Sequence, residues 1–142
     1  MSTEVLSPFF RRMTILTAEQ VRALGGKRAL TRVRSRAYLK VEKGALDPLD
    51  YHAKIPREAF LRFLSTKDSD VICRIDDLRI LSNGELMGRV LADSSNYGTT
   101  MEQLLRQDTP TFRFEPRVIR VPAKGETRRF HQEVVQFDLV YL

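Results

Sequence analysis

The sequence predicts one α+β domain built on a mostly antiparallel sheet or a small barrel, with about three short flanking helices. The chain has 142 residues, of which 42% are hydrophobic, and this is enough for one domain with its own core. Short alternating apolar runs typical of strands are joined by turn signals, and helix-start signals fall between them. We therefore predict an N-terminal arm over residues 1–13 and a single domain over residues 14–142.

The predicted arm carries three apolar residues that belong to no clear helix or strand: Leu6, Phe9 and Phe10. These side chains either dock on a neighbouring subunit or fold back on the core of their own chain, and both interpretations follow from the pattern. We treat the three residues as a candidate protein-contact arm.

The first helix has both a start signal and a stop signal. Thr17 and Gln20 have the spacing of a capping box, in which each side chain accepts a hydrogen bond from the backbone of the other residue. The helix is predicted to continue through Val21 and Leu24, and Gly25-Gly26 to end it, because glycine adopts the left-handed conformation of a helix C-terminus.

Residues 32–42 alternate in the manner of a strand with one apolar face and one basic face. The apolar face holds Val33, Ser35, Ala37, Leu39 and Val41, and the opposite face holds Arg32, Arg34, Arg36, Tyr38, Lys40 and Glu42. Residues 1–45 carry ten Lys and Arg against three acidic residues, whereas the rest of the chain carries fourteen against fifteen. Residues 22–40 therefore form either a surface for an anionic partner such as nucleic acid or a solvated strand face beside a basic arm.

The middle of the chain predicts a loop, a helix and a hairpin. Residues 44–50 have the composition of a loop. Pro56 suits the first position of a helix, whose apolar stripe is Ala59, Phe60, Phe63 and Leu64. Asn83-Gly84 separates the apolar runs 71–81 and 86–91, and this dipeptide predicts a β-hairpin because both residues tolerate positive φ.

The C-terminal part predicts one more helix and two long strands. Thr99 and Glu102 have the spacing of a second capping box, which opens a helix through Met101, Leu104 and Leu105. Strands are predicted over residues 111–121 and 130–142, with a loop between them.

No arrangement of residues predicts a catalytic, cofactor or metal site. Cys73, the single cysteine, lies in an apolar run and is predicted to be a buried, inert thiol. His52 and His131 have no patterned nucleophile beside them and are predicted to be surface histidines. Asp76-Asp77 predicts an acidic bulge in a strand in preference to a metal site. We therefore predict a protein that is not an enzyme and that uses no cofactor and no metal.

The cysteine content and the length of the apolar runs predict where in the cell the protein is found. One cysteine allows no intramolecular disulfide, the apolar runs are too short to span a membrane, and residues 1–6 lack the pattern of a secretory signal. We expect a cytoplasmic protein with no membrane association.

Six short segments between residues 37 and 140 resemble, in their order, those of a known family. They are 37–42, 51–60, 84–90 (GELMGRV), 96–105, 114–117 (FEPR) and 137–140 (FDLV). This order over about 100 residues resembles the capsid-maturation (prohead) proteases of tailed bacteriophages, which are similar to the herpesvirus assemblins. The resemblance implies a phage origin, with the host cytoplasm or the virion as the location.

The sequence departs from that family at both catalytic positions. The family has its serine nucleophile directly before the arginine that Arg117 resembles, and here Glu115-Pro116 stand in that place. The family's catalytic histidine lies in a loop after the first helix, and residues 64–70 contain no histidine. The resemblance therefore implies a protease-like fold without the protease dyad.

These observations give three hypotheses in order of preference. The first is a non-enzymatic phage protein that acts in capsid or virion assembly through contacts with phage structural proteins or with copies of itself. The second is a basic module that binds nucleic acid through residues 22–40. The third is a protease with a rearranged site that uses His52 or His131 with Ser94 or Ser95.

Overall fold

The computed structural model describes residues 9–30, 49–50, 56, 71–94, 96–122 and 130–142. In chain order the elements are β1 (Phe10–Leu16), α1 (Ala18–Leu24), a 3₁₀ helix (Gly26–Leu30), β2 (Leu49–Asp50), β3 (Arg74–Ile80), β4 (Leu86–Leu91), α2 (Gly98–Leu105), β5 (Phe112–Pro122) and β6 (Phe130–Tyr141). The mixture of helices and strands confirms the α+β class.

The described strands form two open three-stranded sheets, so the alternative of a small closed barrel is wrong for this part of the chain. The first sheet has the order β1-β4-β3 and is antiparallel throughout. The second has the order β2-β5-β6, in which β5 and β6 form a long antiparallel hairpin and β2 pairs with β5 in parallel. Leu49–Asp50 therefore belong to a short strand where the sequence predicted a loop.

Strand β1 begins inside the segment predicted to be an arm. Phe10 pairs with Leu91 of β4, so residues 10–13 are part of the first sheet, and residues 1–8 lie outside the described part. Adjacent Arg11 and Arg12 obscure the alternation of this strand in the sequence. The structure accommodates both, because Arg11 donates to the carbonyl oxygens of Leu105 (3.1 Å) and Gln107 (2.8 Å) and Arg12 pairs with Asp77.

Helix α1 begins and ends as its signals predicted. The Thr17 hydroxyl accepts from the Gln20 backbone N–H at 3.2 Å, and the Gln20 side chain accepts from the Thr17 N–H at 2.9 Å. Gly25 ends the helix in the left-handed conformation, with φ at 110°. Its N–H caps the carbonyl oxygens of Arg22 and Val21, and the chain turns directly into the 3₁₀ helix.

The β3–β4 hairpin is confirmed, with a different turn geometry. Gly84 has a positive φ of 93°, as predicted. Asn83 does not have a positive φ, because Asp77 is the only non-glycine residue of the described chain that does. Leu81 and Gly84 close a β-turn, and the Leu81 N–H donates to the Glu85 carbonyl oxygen at 2.9 Å. This is the three-residue loop with a left-handed last residue.

Helix α2 forms where it was predicted, but without the predicted capping box. It begins at Gly98 with Tyr97 as N-cap, and no side chain caps it. Thr99 therefore lies inside the first turn, where it cannot act as the cap residue. The apolar residues that predicted the helix bury as expected: Met101 and Leu105 are buried, and Leu104 packs against the core.

One hydrophobic core joins the two sheets. Ile15, Leu16, Ile75, Leu86 and Val90 come from the first sheet, and Phe112, Phe114, Val118, Val134, Phe137 and Leu139 come from the second. Cys73 lies in this core, and burial raises the pKa of its thiol well above the ordinary value. The prediction of a buried cysteine is confirmed.

Several predicted elements lie outside the described residues. These are the strand over 32–42, the loop at 44–48 and the helix stripe at residues 59–64. No helix in the described part of the chain is long and apolar enough to cross a membrane.

Candidate functional site

The face of β5 and β6 opposite the core carries a row of buried charged and polar side chains, which we call the buried charged layer: Glu115, Arg117, Glu133, Gln136 and Asp138. They alternate along the strands with the core residues Phe114, Phe137 and Leu139. Because strand residues point alternately to opposite faces, one hairpin carries both an apolar and a charged buried surface.

The centre of the buried charged layer is a forked ion pair. The Arg117 Nε lies 2.9 Å and 3.0 Å from the two Asp138 carboxylate oxygens, and its Nη2 lies 2.8 Å from Oδ1. The Arg117 and Asp138 side chains are 1% and 2% exposed. Such a buried pair holds both charges in place and leaves neither accessible to a substrate.

Glu115 stands beside this pair and is held by a second arginine. It lies directly opposite Asp138 in the register of the two strands, and one of its oxygens accepts from Arg113 at 2.9 Å. Its other oxygen is buried and has no hydrogen-bond partner. The two residues before Arg117 are thus a buried carboxylate, Glu115, and a proline, Pro116.

A cleft opens next to the start of β6, between that strand and the helical turn that follows β1. Its volume is about 370 Å³, within the range of small-molecule sites. We call it the α1 cleft, and its lining is Arg22, Ala23, Leu24, Gly25, Arg28, Ala29, His131 and Gln132. None of these eight residues is a serine, a threonine, a cysteine or an acid.

His131 links the cleft to the charged layer. Its Nε2 lies 3.3 Å from an oxygen of Glu133, two residues further along β6. A carboxylate on one ring nitrogen is the arrangement that orients a general base, but a nucleophile must lie on the other side. Among the described residues that line the cleft, no side chain carries a hydroxyl or a thiol.

The remaining predicted site residues are scattered. Ser94 donates its hydroxyl hydrogen to the Val71 carbonyl oxygen at 2.7 Å and accepts from the Tyr97 N–H at 3.3 Å, so it holds the turn before α2. His52, Ser95 and Leu6 lie outside the described residues, as does the proposed basic face of Arg32, Arg34, Arg36, Tyr38 and Lys40. Only the start of the basic region, residues 22–30, can be placed.

The two aromatic residues of the predicted arm, Phe9 and Phe10, lie in different environments. Phe9 packs against the core with the Arg106 guanidinium 4.1 Å from its ring centroid. Phe10 is 46% exposed, and the guanidinium of Arg89 lies 5.1 Å from its centroid. Phe9 therefore folds back on its own chain, and Phe10 stays available for a contact.

Asp76 and Asp77 form an acidic bulge, as predicted. The pairing of β3 with β4 shifts between Asp76 and Arg79, and Asp77 has a φ of 49°. Asp76 makes two hydrogen bonds of 2.7 Å with Arg89, and Asp77 bonds Arg12 and Arg79. Across the described ranges no three His, Cys, Asp or Glu residues gather in a group that could hold a metal ion.

No protein-family model, curated protein or solved structure matches the chain.

The sequence pattern did not predict the buried charged layer or the α1 cleft, and the reasons differ. The sequence does contain a pattern that indicates the layer. Glu115 and Arg117 occupy alternate positions in a predicted strand, and Asp138 is flanked by the apolar residues Phe137 and Leu139. No such pattern indicates the cleft, because it brings together residues 22–29 and 131–132, which are about a hundred positions apart.

Proposed function

We propose that this chain is a non-enzymatic protein of a tailed bacteriophage, with a prohead-protease-like fold, that acts in capsid or virion assembly through protein–protein contacts. The proposal rests on the order of the six sequence segments and on what stands at the protease's nucleophile position. Its partners are phage structural proteins or further copies of the same chain.

The observation that carries the proposal is the environment of Arg117. In the family this arginine follows the nucleophilic serine, whereas here it is 1% exposed and forked onto Asp138. The two residues before it are Glu115, held by Arg113, and Pro116, which has no nucleophile. A segment built in this way supports stability and contributes no serine for peptide-bond cleavage.

Exposed apolar side chains offer surfaces for protein contact. Phe10 (46% exposed), Tyr141 (45%) and Leu142 (74%) are among the large apolar residues that the fold leaves in solvent. Among the described strands, Phe10 begins an outer strand of the first sheet, and outer strands are common places for chains to meet. Aromatic residues of this kind often dominate the binding energy of protein interfaces.

The test is the molar mass of the purified protein by size-exclusion chromatography with light scattering, at low and high salt. We expect a defined oligomer that persists at high salt, because apolar contacts are not screened. Phe10→Ala should shift it toward monomer, and Leu81→Ala, which removes an exposed leucine from the β3–β4 turn, should not. A monomer under every condition, with no binding to phage structural proteins, would contradict the proposal.

The protease alternative has its own test. Purified protein is stored and followed by mass spectrometry, together with a Ser94→Ala variant. We expect no cleavage in either sample, since the Ser94 hydroxyl is engaged by Val71 and Tyr97. Self-cleavage that disappears in the Ser94→Ala variant would revive the enzyme hypothesis.

A second candidate function is binding to nucleic acid through residues 22–40. The described start of this region favours it, since Arg22, Lys27 and Arg28 are exposed and residues 22–30 contain no acid. Binding of this type should weaken steeply with salt, because each phosphate contact releases counterions. Fluorescence anisotropy with a labelled oligonucleotide between about 50 and 200 mM salt measures the slope; no binding at low salt would exclude this function.

A further inference from the structure

The α1 cleft combines three features of an anion site, and the first is its pair of arginines. Arg22 lies in the last turn of α1 and Arg28 in the following 3₁₀ helix, and both are exposed. Gly25 and Gly26 have φ values of 110° and 79°, which only glycine adopts without strain. This reversal places the two guanidinium-bearing residues around the same cleft.

The second feature is the opposite wall, which β6 provides. His131 and Gln132 line the cleft there, and both side chains offer polar groups that hydrogen-bond to oxygen. The Glu133 carboxylate engages Nε2 of His131, and Nδ1 is buried with no hydrogen-bond partner. Because Nε2 donates to a carboxylate, Nδ1 is the acceptor nitrogen of this tautomer. Buried polar atoms are normally satisfied, so Nδ1 can accept a hydrogen bond from a ligand hydroxyl or from a P–OH group.

The third feature is the apolar part of the lining. Ala23, Leu24 and Ala29 provide methyl and isobutyl surface beside the two arginines. The volume of about 370 Å³ is typical of sites for small organic molecules. A ligand with a charged group and a short organic part would contact both the arginines and this apolar surface.

We propose that the α1 cleft binds a phosphate group, free or as the monoester of a small organic molecule. Arg22 and Arg28 supply positive charge, the Gln132 amide donates hydrogen bonds to phosphate oxygens, and His131 Nδ1 accepts from a hydroxyl group of the ligand. Arginine suits this role because its planar guanidinium pairs with two phosphate oxygens at once. The organic part of a monoester lies against Ala23, Leu24 and Ala29.

Two features near the cleft oppose an anion. The Glu133 carboxylate lies 3.3 Å from His131 Nε2, although Glu133 is not among the residues that line the cleft. The C-terminus of α1 carries about half an elementary negative charge at most. The Gly25 N–H caps the carbonyl oxygens of Arg22 and Val21, which reduces this effect further. Arg22 and Arg28 both line the cleft itself, and their positive charges favour an anion there.

This site is independent of the proposed role in assembly. Its ligand is a small molecule, and its residues are distinct from Phe10 and from the end of β6 at Tyr141 and Leu142. Oligomer formation and phosphate binding are therefore separate measurements, and either can fail alone.

The experiment is isothermal titration calorimetry of the full chain, in buffer of about 0.1 M ionic strength so that neighbouring surface charges are screened, with inorganic phosphate, glycerol 3-phosphate and glycerol. We expect both phosphates to bind and glycerol not to bind. Tighter binding of glycerol 3-phosphate would assign the site to a phosphate monoester, and equal affinities would assign it to free phosphate. No heat from either phosphate at millimolar concentrations would overturn the proposal.

Variants locate the binding in the cleft. Arg28→Gln and Arg22→Gln should each weaken phosphate binding about tenfold or more, the effect of losing a charged hydrogen bond. Lys27→Gln removes the same charge from the neighbouring exposed position, which does not line the cleft, and should change affinity less than about twofold. Ala23→Glu, also at an exposed position, should abolish binding through charge repulsion.

The Lys27 control also separates this site from a diffuse basic surface. Equal losses in Lys27→Gln and Arg28→Gln would indicate general attraction to a positive surface and would overturn the proposal. Circular dichroism melting of each variant shows whether it is folded. Because Arg22, Ala23, Lys27 and Arg28 are all exposed, we expect melting temperatures close to that of the unsubstituted protein.

Discussion

Arg117 of β5 and Asp138 of β6 form an ion pair that is buried to 1% and 2% exposure, with Nε 2.9 Å and 3.0 Å from the two carboxylate oxygens. Removing one partner leaves a buried charge without its counterion. We therefore expect Arg117→Met or Asp138→Leu to lower the free energy of unfolding by about 3–5 kcal/mol. Urea denaturation followed by circular dichroism measures the change.

The double variant and a surface pair provide the controls for this ion pair. Arg117→Met with Asp138→Leu removes both charges, so its loss should be smaller than that of either single variant. Arg79→Met breaks an exposed pair with Asp77 and should cost much less than either buried single variant. Equal, small effects for all four variants would mean that the buried pair contributes little.

Gly88 of β4 lies where the core leaves no room for a side chain. A Cβ atom there would come within 2.9 Å of Ile75 Cγ2 and of Leu78 Cδ2, and 3.0 Å of Ile15 Cγ1. We expect Gly88→Ala to destabilise the fold by about 1–3 kcal/mol, the usual cost of overpacking a core. Thermal unfolding by calorimetry tests this expectation.

Gly98 is the matched control for Gly88. Its Cβ would lie 3.4 Å from the Ala92 carbonyl oxygen, which is an ordinary contact, and it is the first residue of α2. Gly98→Ala should be neutral or stabilising by up to about 1 kcal/mol, because alanine restricts the unfolded chain. If the two alanine variants melted alike, the crowding around Gly88 would not matter.

The two threonines at helix starts should behave differently, although the sequence gives both the same signal. Thr17 caps α1 through the Gln20 N–H, so Thr17→Ala should lose about 1 kcal/mol of stability. Thr99 lies inside α2 and caps nothing, so Thr99→Ala should be neutral or slightly stabilising. Chemical denaturation of both variants gives the comparison, and a loss at Thr99 equal to that at Thr17 would contradict it.

These helices illustrate which parts of the fold the sequence could predict. Local signals sufficed where the partner is a few residues away, as in the Thr17–Gln20 box and the turn at Gly84. Two local signals also competed at the start of α2. The helix begins at Gly98, one residue before the predicted cap Thr99, and the Gly98 N–H bonds the Ser94 carbonyl oxygen four residues earlier.

Strand β1 and the candidate site depend on contacts that are distant in sequence. Phe10 to Leu16 become a strand because β4, about seventy-five residues later, offers its edge. The α1 cleft likewise needs His131 to come next to Arg22 and Arg28. Alternation and composition describe each segment separately, so they predict the polarity of a surface without predicting which surfaces meet.

Cys73 should be unreactive in the folded protein. It is fully buried in the core, and desolvation raises the pKa of its thiol, with a smaller contribution from the charge of Asp93. Since the thiolate is the reactive form, we expect negligible labelling by a thiol reagent under native conditions and stoichiometric labelling in denaturant. Rapid native labelling would mean that the core opens locally at β3.

The Asp76–Arg89 pair should make stability depend on pH in the acid range. Two hydrogen bonds of 2.7 Å from Arg89 lower the pKa of Asp76 below its ordinary value, against the opposing effect of burial. A carboxyl whose pKa is lower in the folded state stabilises the fold above its unfolded pKa of about 3.9. This contribution is lost as the pH falls through the lower, folded value.

A double-mutant cycle of Asp76→Asn and Arg89→Gln, measured by urea unfolding across this range, isolates the interaction from the stacking of Arg89 on Phe10. We expect a small coupling free energy between about pH 5 and 8, because the pair is partly exposed. The coupling should shrink below about pH 4 and vanish once Asp76 is protonated in both states. A coupling that stayed constant into strong acid would show that packing, and not charge, joins these two residues.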